Sequence, residues 1–426
     1  MKVWVIAVVL IAIALLGAPL FSIIGGIALY AFHSADIDTS AVIIDLYRIT
    51  DTPTLIAIPL FTFAGYLLAE SNSPRRLVKL AQAMFGWIPG GLAIVVVATC
   101  AFFTAFTGAS GVTIVALGGI LYPILLRESY PEQFSLGLVT ASGSIGLLFP
   151  PSLPIILYGI IAKVSIDQLF ISGILPGLVL VSIVALYSVR IGIRARVPRI
   201  PFSWINLRSA IREAGWEIPL PFIIIGGIYS GTFTATESSA ITAFYVLIIV
   251  VFVYRDMKLT TDIPRVMKES MILVGAILAI LGTALGLTNY LIDEQVPQQL
   301  FDLVRSNIDS RITFLLILNI FLLLVGMMMD IFSAIIVVVP LILPIAAEFG
   351  VNPLHLGIIF LTNLEIGYLT PPVGLNLFLS SLRFEKPILQ ITKSVLVFMG
   401  LMMAALLVIT YVPDLSLWLV SILGTQ

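Results

Sequence analysis

The chain has one cysteine, Cys100, and two histidines, His33 and His355, in 426 residues. One thiol allows no internal disulfide and no Cys-based metal site, and two isolated imidazoles argue against a His-rich one. Charge is scarce too: Asp, Glu, Lys and Arg make up 11% of the chain, against about a quarter in an ordinary soluble domain. The formal net charge of −1 points to neither nucleic acid nor an anionic surface. No G-x-x-x-x-G-K-[ST] phosphate loop occurs, so the chain is at most the permease partner of an ATP-driven pump. An intramembrane enzyme would need a nucleophile beside a base, or a set such as H-E-x-x-H, and neither is present. The in–out alternation of barrel strands is missing as well. Residues 94–98, 223–225 and 335–339 are unbroken apolar runs instead, which suit helices.

What the chain has is apolar length. It is 60% hydrophobic, with a mean hydropathy of +1.14. Runs such as 4–16, 91–106, 173–187, 314–329 and 394–411 are apolar all round rather than on one stripe. They approach the roughly 20 residues a helix needs to cross the hydrocarbon. The composition predicts an all-α polytopic membrane protein of ten to twelve crossings. The approximate spans are 3–32, 52–70, 88–107, 110–127, 133–163, 167–194, 217–254, 268–291, 312–348, 354–382 and 387–424. Several exceed one crossing and carry internal Gly or Pro, which predicts two elements or a broken helix. The first 21 residues could pass for a signal peptide, but the apolar run continues through 23–32, as a first membrane helix would. Arg75, Arg76 and Lys79 among apolar residues predict an amphipathic helix on the membrane over 72–85.

Residues 190–212 hold six arginines and no acid. The positive-inside rule places this connector, with an interfacial basic helix, in the cytoplasm; a nucleic-acid arm is the rival for such charge. The chain then divides into N-terminal scaffold helices (1–87), first-repeat transport elements (88–189), the basic connector (190–216), second-half scaffold helices (217–311), and second-repeat transport elements with C-terminal helices (312–426). The repeat is visible in the residues. Aligning Pro150-Pro151 on Pro371-Pro372 also places Pro123 on Pro344 and Gly146 on Gly367. A one-residue length change is needed to bring Tyr130-Pro131 onto Asn352-Pro353.

Each proline pair costs a helix about 3 kcal/mol or more per residue, and freed carbonyls in hydrocarbon cost more unless they line a polar cavity. Ser142–Gly146 and Thr362–Gly367, each before its proline pair, read as unwound stretches. A kinked structural helix is the alternative, and its repetition in both halves weakens it. Unwound carbonyls with Ser, Thr and Asn oxygens suit Na⁺, while exposed helix N-termini suit an anion. Residues 104–113 and 329–333 read as tips of re-entrant hairpins, with Gly108 and Gly111 permitting the first reversal. Small-residue helix packing is the alternative for the first tip, and a capping role is the alternative for Asp330. Glu237 sits among hydroxyls, where Thr234 or Thr236 could cap a half-helix; capping and ion coupling both remain open for it. Arg127 and Lys163 could attract an anion, although the interface is the ordinary place for long cationic chains.

With these residues in hand, the chain resembles the large membrane subunit of tripartite ATP-independent periplasmic (TRAP) transporters. The resemblance rests on GASGVT near 110, ASGSIGLLFPPSLPIILYG at 141–159, ISGILPG at 171–177, GGIYSGTFTATESSA at 226–240 and NLEIGYLTPPVGLNLF at 363–378. It implies two inverted repeats, each giving a re-entrant hairpin and a broken helix to an elevator-type transport domain beside a scaffold. It also implies no cofactor, Na⁺ as coupling ion, a small four-helix membrane (Q) subunit and a periplasmic substrate-binding protein in the bacterial inner membrane. Carried over by position, one sodium site would draw on Ser110, Thr113, Ser142 and Gly146. The other would draw on Asp330, Asn363, Gly367 and Thr370. The solute, a small carboxylate or sulfonate, is expected against Ser144, Pro150, Pro151, Glu365, Pro371 and Pro372, with Glu237 as a further candidate. The first tip is poorer in serine than the family pattern, and backbone carbonyls could substitute among its ligands. A stand-alone sodium/carboxylate carrier of the same superfamily, working without a binding protein, is the nearest rival.

Overall fold

A computed structural model describes residues 12–13, 18–49, 52–197, 201–305, 308 and 310–423. Residues 3–11 and 14–17 of the first expected span, and 198–200 of the basic connector, lie outside the described residues. Every described element is helical. In chain order these are α1 (Leu20–Ser34), α2 (Ser40–Ile49), α3 (Ala57–Glu70), α4 (Ser73–Phe85), α5 (Gly91–Thr107), α6 (Ser110–Arg127) and α7 (Glu132–Ile145). Next come α8 (Leu153–Ala162), α9 (Ile166–Arg194), α10 (Trp204–Glu213), α11 (Pro219–Tyr229), α12 (Ala235–Val253) and α13 (Asp262–Asp293). The last are α14 (Val296–Arg305), α15 (Arg311–Met328), α16 (Ile331–Glu348), α17 (Pro353–Gly367), α18 (Leu375–Phe384), α19 (Ile388–Tyr411) and α20 (Asp414–Leu423). Among the described residues eight helices are long and apolar enough to cross a membrane, and α7 with α8 forms one more span bent by 42°.

The overlong expected spans divide where the backbone chemistry requires. The stretch 217–254 becomes α11 and α12, separated at Gly231 with its positive φ. The stretch 312–348 becomes α15 and α16, separated at Asp330. The unwinding expected over Ser142–Gly146 and Thr362–Gly367 is corrected. Both stretches lie at helix ends, with irregular backbone confined to the short segments around the proline pairs. A proline clashes only with the turn before it, so the α-helix persists to about four residues upstream. That is where α7 gives way at Gly146 and α17 ends at Gly367.

The boundaries of the two halves run in parallel. α5 and α15 end at 107 and 328, α6 and α16 span 110–127 and 331–348, and α7 and α17 begin at 132 and 353, an offset of 221 throughout. The expected length change before α7 and α17 is therefore not there: Pro131 and Asn352 are the equivalent N-caps. It falls after the prolines, where α8 and α18 begin at 153 and 375.

Packing sorts the helices into two groups. α3 packs on α12 and α13, and α13 also packs on α1 and α2. The other group interleaves the two halves: α16 lies against α8, and α18 lies against α6. The groups meet where α3 touches α5 and where α13 touches α16. Gly65 on α3 allows the first meeting, since a Cβ there would run into the backbone of Phe106 and Thr107.

The amphipathic helix expected over 72–85 forms as α4, but Arg76 does not face lipid headgroups. Its guanidinium bonds Glu217 at 2.6 Å and Asp256 at 2.7 Å and stacks on the Tyr254 ring at 3.7 Å. With both carboxylate side chains nearly buried, removing their shared cation costs more than breaking a surface pair.

Candidate substrate and cation site

The first hairpin reverses between α5 and α6 through Gly108, at φ +63°, whose N–H donates to the Thr104 carbonyl at 2.8 Å. Gly111, expected to share in the reversal, lies inside α6 against Leu379. Below the tip the fully buried Thr104 hydroxyl oxygen lies 2.7 Å from that of Thr113 and 2.9 Å from the Gly143 carbonyl of α7. Gly146 lets the break approach this hairpin, because a Cβ there would meet the Ala101 carbonyl and Thr104. Ser142 is fully buried on the same helix, and its hydroxyl has no partner among the described residues. Ser110, at the start of α6, donates its hydroxyl proton to Asn376 Oδ1 of α18 at 2.7 Å.

The second hairpin turns at Asp330, the N-cap of α16. One carboxylate oxygen accepts from the Phe332 and Ser333 backbone N–H groups at 3.0 Å each, and the other accepts from the Ser333 hydroxyl. The Ile331 N–H donates to the Tyr368 hydroxyl, which links this tip to the second break. On α17 the Asn363 amide nitrogen donates to Asn319 Oδ1 at 2.7 Å and to the Ile359 carbonyl at 2.8 Å. Asn319 in turn donates to the Thr410 hydroxyl at 3.2 Å. Asn363 Oδ1, fully buried, is left without a partner among the described residues. The Thr370 hydroxyl donates to the Ile366 carbonyl at 3.0 Å, and Gly367 lies against the backbone of Gly326.

The two tips converge on one cavity of 630 Å³. Gly108 and Ser110 line it from the first tip, Asp330 and Ile331 from the second, and Tyr66 and Glu70 of α3 close it from the other helix group. Both α6 and α16 point their N-termini at it, where unpaired N–H groups favour an anion. They are not equivalent. Asp330 already occupies the first N–H groups of α16, whereas Ala109, the N-cap of α6, offers no side-chain cap. The first tip is the better anion contact.

The expected solute residues divide. Pro150 and Pro151 are buried, Pro371 and Pro372 are exposed, and none lines the cavity. The Ser144 hydroxyl turns back to the Ala141 carbonyl of its own helix at 3.3 Å. Glu365 is fully buried with neither carboxylate oxygen partnered among the described residues, and it too is absent from the lining. Glu237 is the acid of a capping box with Thr234, also away from the cavity. Residue-by-residue reading passed over Thr104, Asn319, Tyr368 and Asn376. Asn319 carried a usable signal, a lone amide inside the apolar run 314–329, where an unpaired polar group is costly.

Broken helices, helical hairpins and a central cavity of this size between two helix groups fit a polytopic membrane carrier. Residues 4–415 match the family model of the tripartite ATP-independent periplasmic transporter, DctM component. The chain is 38% identical over 387 residues, 89% of each protein, to the C4-dicarboxylate TRAP transporter large permease protein DctM of Pseudomonas aeruginosa. It is 37% identical over 379 residues to the isethionate TRAP transporter permease protein DctMQ of Oleidesulfovibrio alaskensis, covering 86% of this chain and 58% of that longer one. At the level of fold it is similar to the crystal structure of the Alcanivorax borkumensis YdaH transporter, with a TM-score of 0.58, 14% identity and 84% of each chain covered. The chain belongs to the DctM family, the large membrane component of TRAP transporters. It is a multi-pass permease and not an enzyme.

Proposed function

We propose that this permease takes up a small organic anion, a dicarboxylate or a sulfonate of similar size, in symport with sodium across the bacterial inner membrane. In this reading the interleaved hairpins and broken helices are inverted repeats that move as an elevator against the α3–α13 scaffold. A periplasmic binding protein delivers the solute, and a small four-helix membrane subunit completes the scaffold. The substrate class is supported by the C4-dicarboxylate and isethionate relatives and by the open N-terminus of α6 at the cavity. The extra length of the DctMQ relative fits a small subunit joined to the large one.

One observation carries the sodium coupling. Ser142 Oγ and Asn363 Oδ1 occupy positions 221 residues apart, the offset that relates the helices of the two halves, and both are buried oxygens without partners among the described residues. An unpaired buried oxygen is costly, and a hard cation removes the cost while using oxygen ligands. Around Ser142 the first site would add Ser110, Thr113 and the Gly146 carbonyl. Around Asn363 the second would add Asp330, Thr370 and the Gly367 carbonyl.

The test is uptake of succinate and isethionate into proteoliposomes holding the permease, its small subunit and its binding protein, with and without an inward sodium gradient. Uptake is expected only with the gradient, and Ser142→Ala and Asn363→Ala should each shift the sodium activation curve to higher concentration. Identical curves in both variants would overturn the sodium assignment. Full uptake without the binding protein would favour a stand-alone carrier.

A further inference from the structure

A second cavity, of 440 Å³, lies apart from the first, between the end of α8, the helix α16 and the scaffold helix α13. Among the described residues its polar lining is Thr52, Lys163, Thr288 and Asn289, with no Asp or Glu. Lys163 is the C-cap of α8 in left-handed conformation, at φ +54°. Its ammonium is exposed and has no ion-pair partner among the described residues. The acids flanking the lining, Asp167 in the first turn of α9 and Asp293 and Glu294 at the end of α13, are not among its lining residues. Among the described residues the cavity therefore pairs one free cation with neutral hydrogen-bonding groups, which is the chemistry of a weak anion site.

Its sidedness follows from α9. That helix runs from Ile166, three residues after Lys163, to Arg194 in the arginine-rich connector. With the connector in the cytoplasm, Lys163 and the second cavity face the periplasm. The central cavity is lined by Glu70, next to the Asn72–Asp256 contact at the connector's end of the scaffold. Both cavities share α13, through Leu273 in one and Thr288 in the other. At about 1.5 Å per residue these positions are roughly 22 Å apart along the helix.

We propose that the second cavity is an outer vestibule in which Lys163, helped by Thr52, Thr288 and Asn289, holds the carboxylate or sulfonate of the incoming solute before it reaches the hairpin tips. The proposal rests on the transport reading above and extends it to a second site. A single free cation in a concave, low-dielectric setting raises local anion concentration and so acts on capture rather than on turnover.

Two measurements on the assembled transporter decide it. In an Ile292→Cys variant, which puts a thiol on the cavity lining and keeps Lys163, with native Cys100 buried, a membrane-impermeant maleimide should react from the periplasmic side. Succinate without binding protein should slow that reaction, and chloride at equal ionic strength should not. Lys163→Gln should raise the KM for uptake about three- to tenfold at low salt with Vmax and sodium activation unchanged, and Lys163→Arg should restore it. Labelling from the cytoplasmic side only, protection by the binding protein alone, or an unchanged KM would overturn the vestibule. If the wild-type permease shows no sodium-driven uptake, the transport reading fails by itself, because succinate protection at position 292 needs no turnover.

Discussion

Ser110 and Asn376, 266 residues apart, meet through a buried 2.7 Å hydrogen bond that ties the first hairpin tip to the far half of the second broken helix. The Asn376 amide nitrogen has no partner among the described residues, so this side chain depends on Ser110 for its one paired atom. Ser110→Ala should leave a wholly unpaired buried amide and cost about 1–3 kcal/mol. Asn376→Leu alone, and the double variant Ser110→Ala/Asn376→Leu, should lose less than Ser110→Ala. Thermal unfolding of the purified permease in detergent measures all three, and strictly additive losses would show that the pair is not coupled.

The second prediction concerns the boundary between the helix groups. Gly65 of α3 touches the backbone of Phe106 and Thr107 so closely that a methyl group has no room. If α5 slides on α3 during transport, Gly65→Ala should wedge that surface and lower Vmax, with the sodium activation midpoint little changed. Equal Vmax in wild type and variant would place the moving boundary elsewhere.

Most of the fold was legible because its causes are local. Apolar length gave the membrane class, and the proline pairs marked the breaks within a few residues. The extent of unwinding was misjudged because proline disrupts only the preceding turn, while Ser142 and Asn363 lie beyond its reach on intact helix. The site was legible at its tips, Ser110 and Asp330, where hydroxyls or an acid interrupt apolar runs. It was not legible where partners come from distant sequence. Nothing near Thr104 predicts the Gly143 carbonyl, and nothing near Asn319 predicts Thr410. Arg76 is the clearest case: one amphipathic helix read alone sends it to the lipid, and only the fold shows Glu217 and Asp256 waiting for it.

That ion cluster gives the third prediction. Arg76→Leu would leave Glu217 and Asp256 buried side by side without a cation, a change that typically costs about 3–5 kcal/mol. Burial pushes the Asp256 carboxyl up, but hydrogen bonds from Arg76 and Asn72 outweigh it and hold the group below its ordinary range. A carboxyl depressed in the folded state adds stability that is fully present above its unfolded value and is lost as pH falls through the folded one. Wild type should therefore lose this part of its stability only in acid below the ordinary carboxylate range. Arg76→Leu should be less stable at neutral pH and less acid-sensitive. Parallel melting-temperature profiles against pH for the two proteins would refute the assignment.

The last prediction uses the glycines of the two breaks against glycines that face nothing. A Cβ at Gly146 would meet the Ala101 carbonyl, and one at Gly367 would meet the Gly326 backbone. Backbone cannot swing aside as a side chain can, so Gly146→Ala and Gly367→Ala should each cost about 1–3 kcal/mol through overpacking. Gly275 in α13 and Gly400 in α19 have no atom within 4 Å of the added methyl. There alanine should gain roughly 0.5–1 kcal/mol, because glycine is the poorer helix former. Melting temperatures should therefore fall for the first two variants and hold or rise for the other two. The opposite order would mean that the broken helices do not press on their hairpins as closely as Gly146 and Gly367 allow, and both cation sites, which need that closeness, would lose their physical basis.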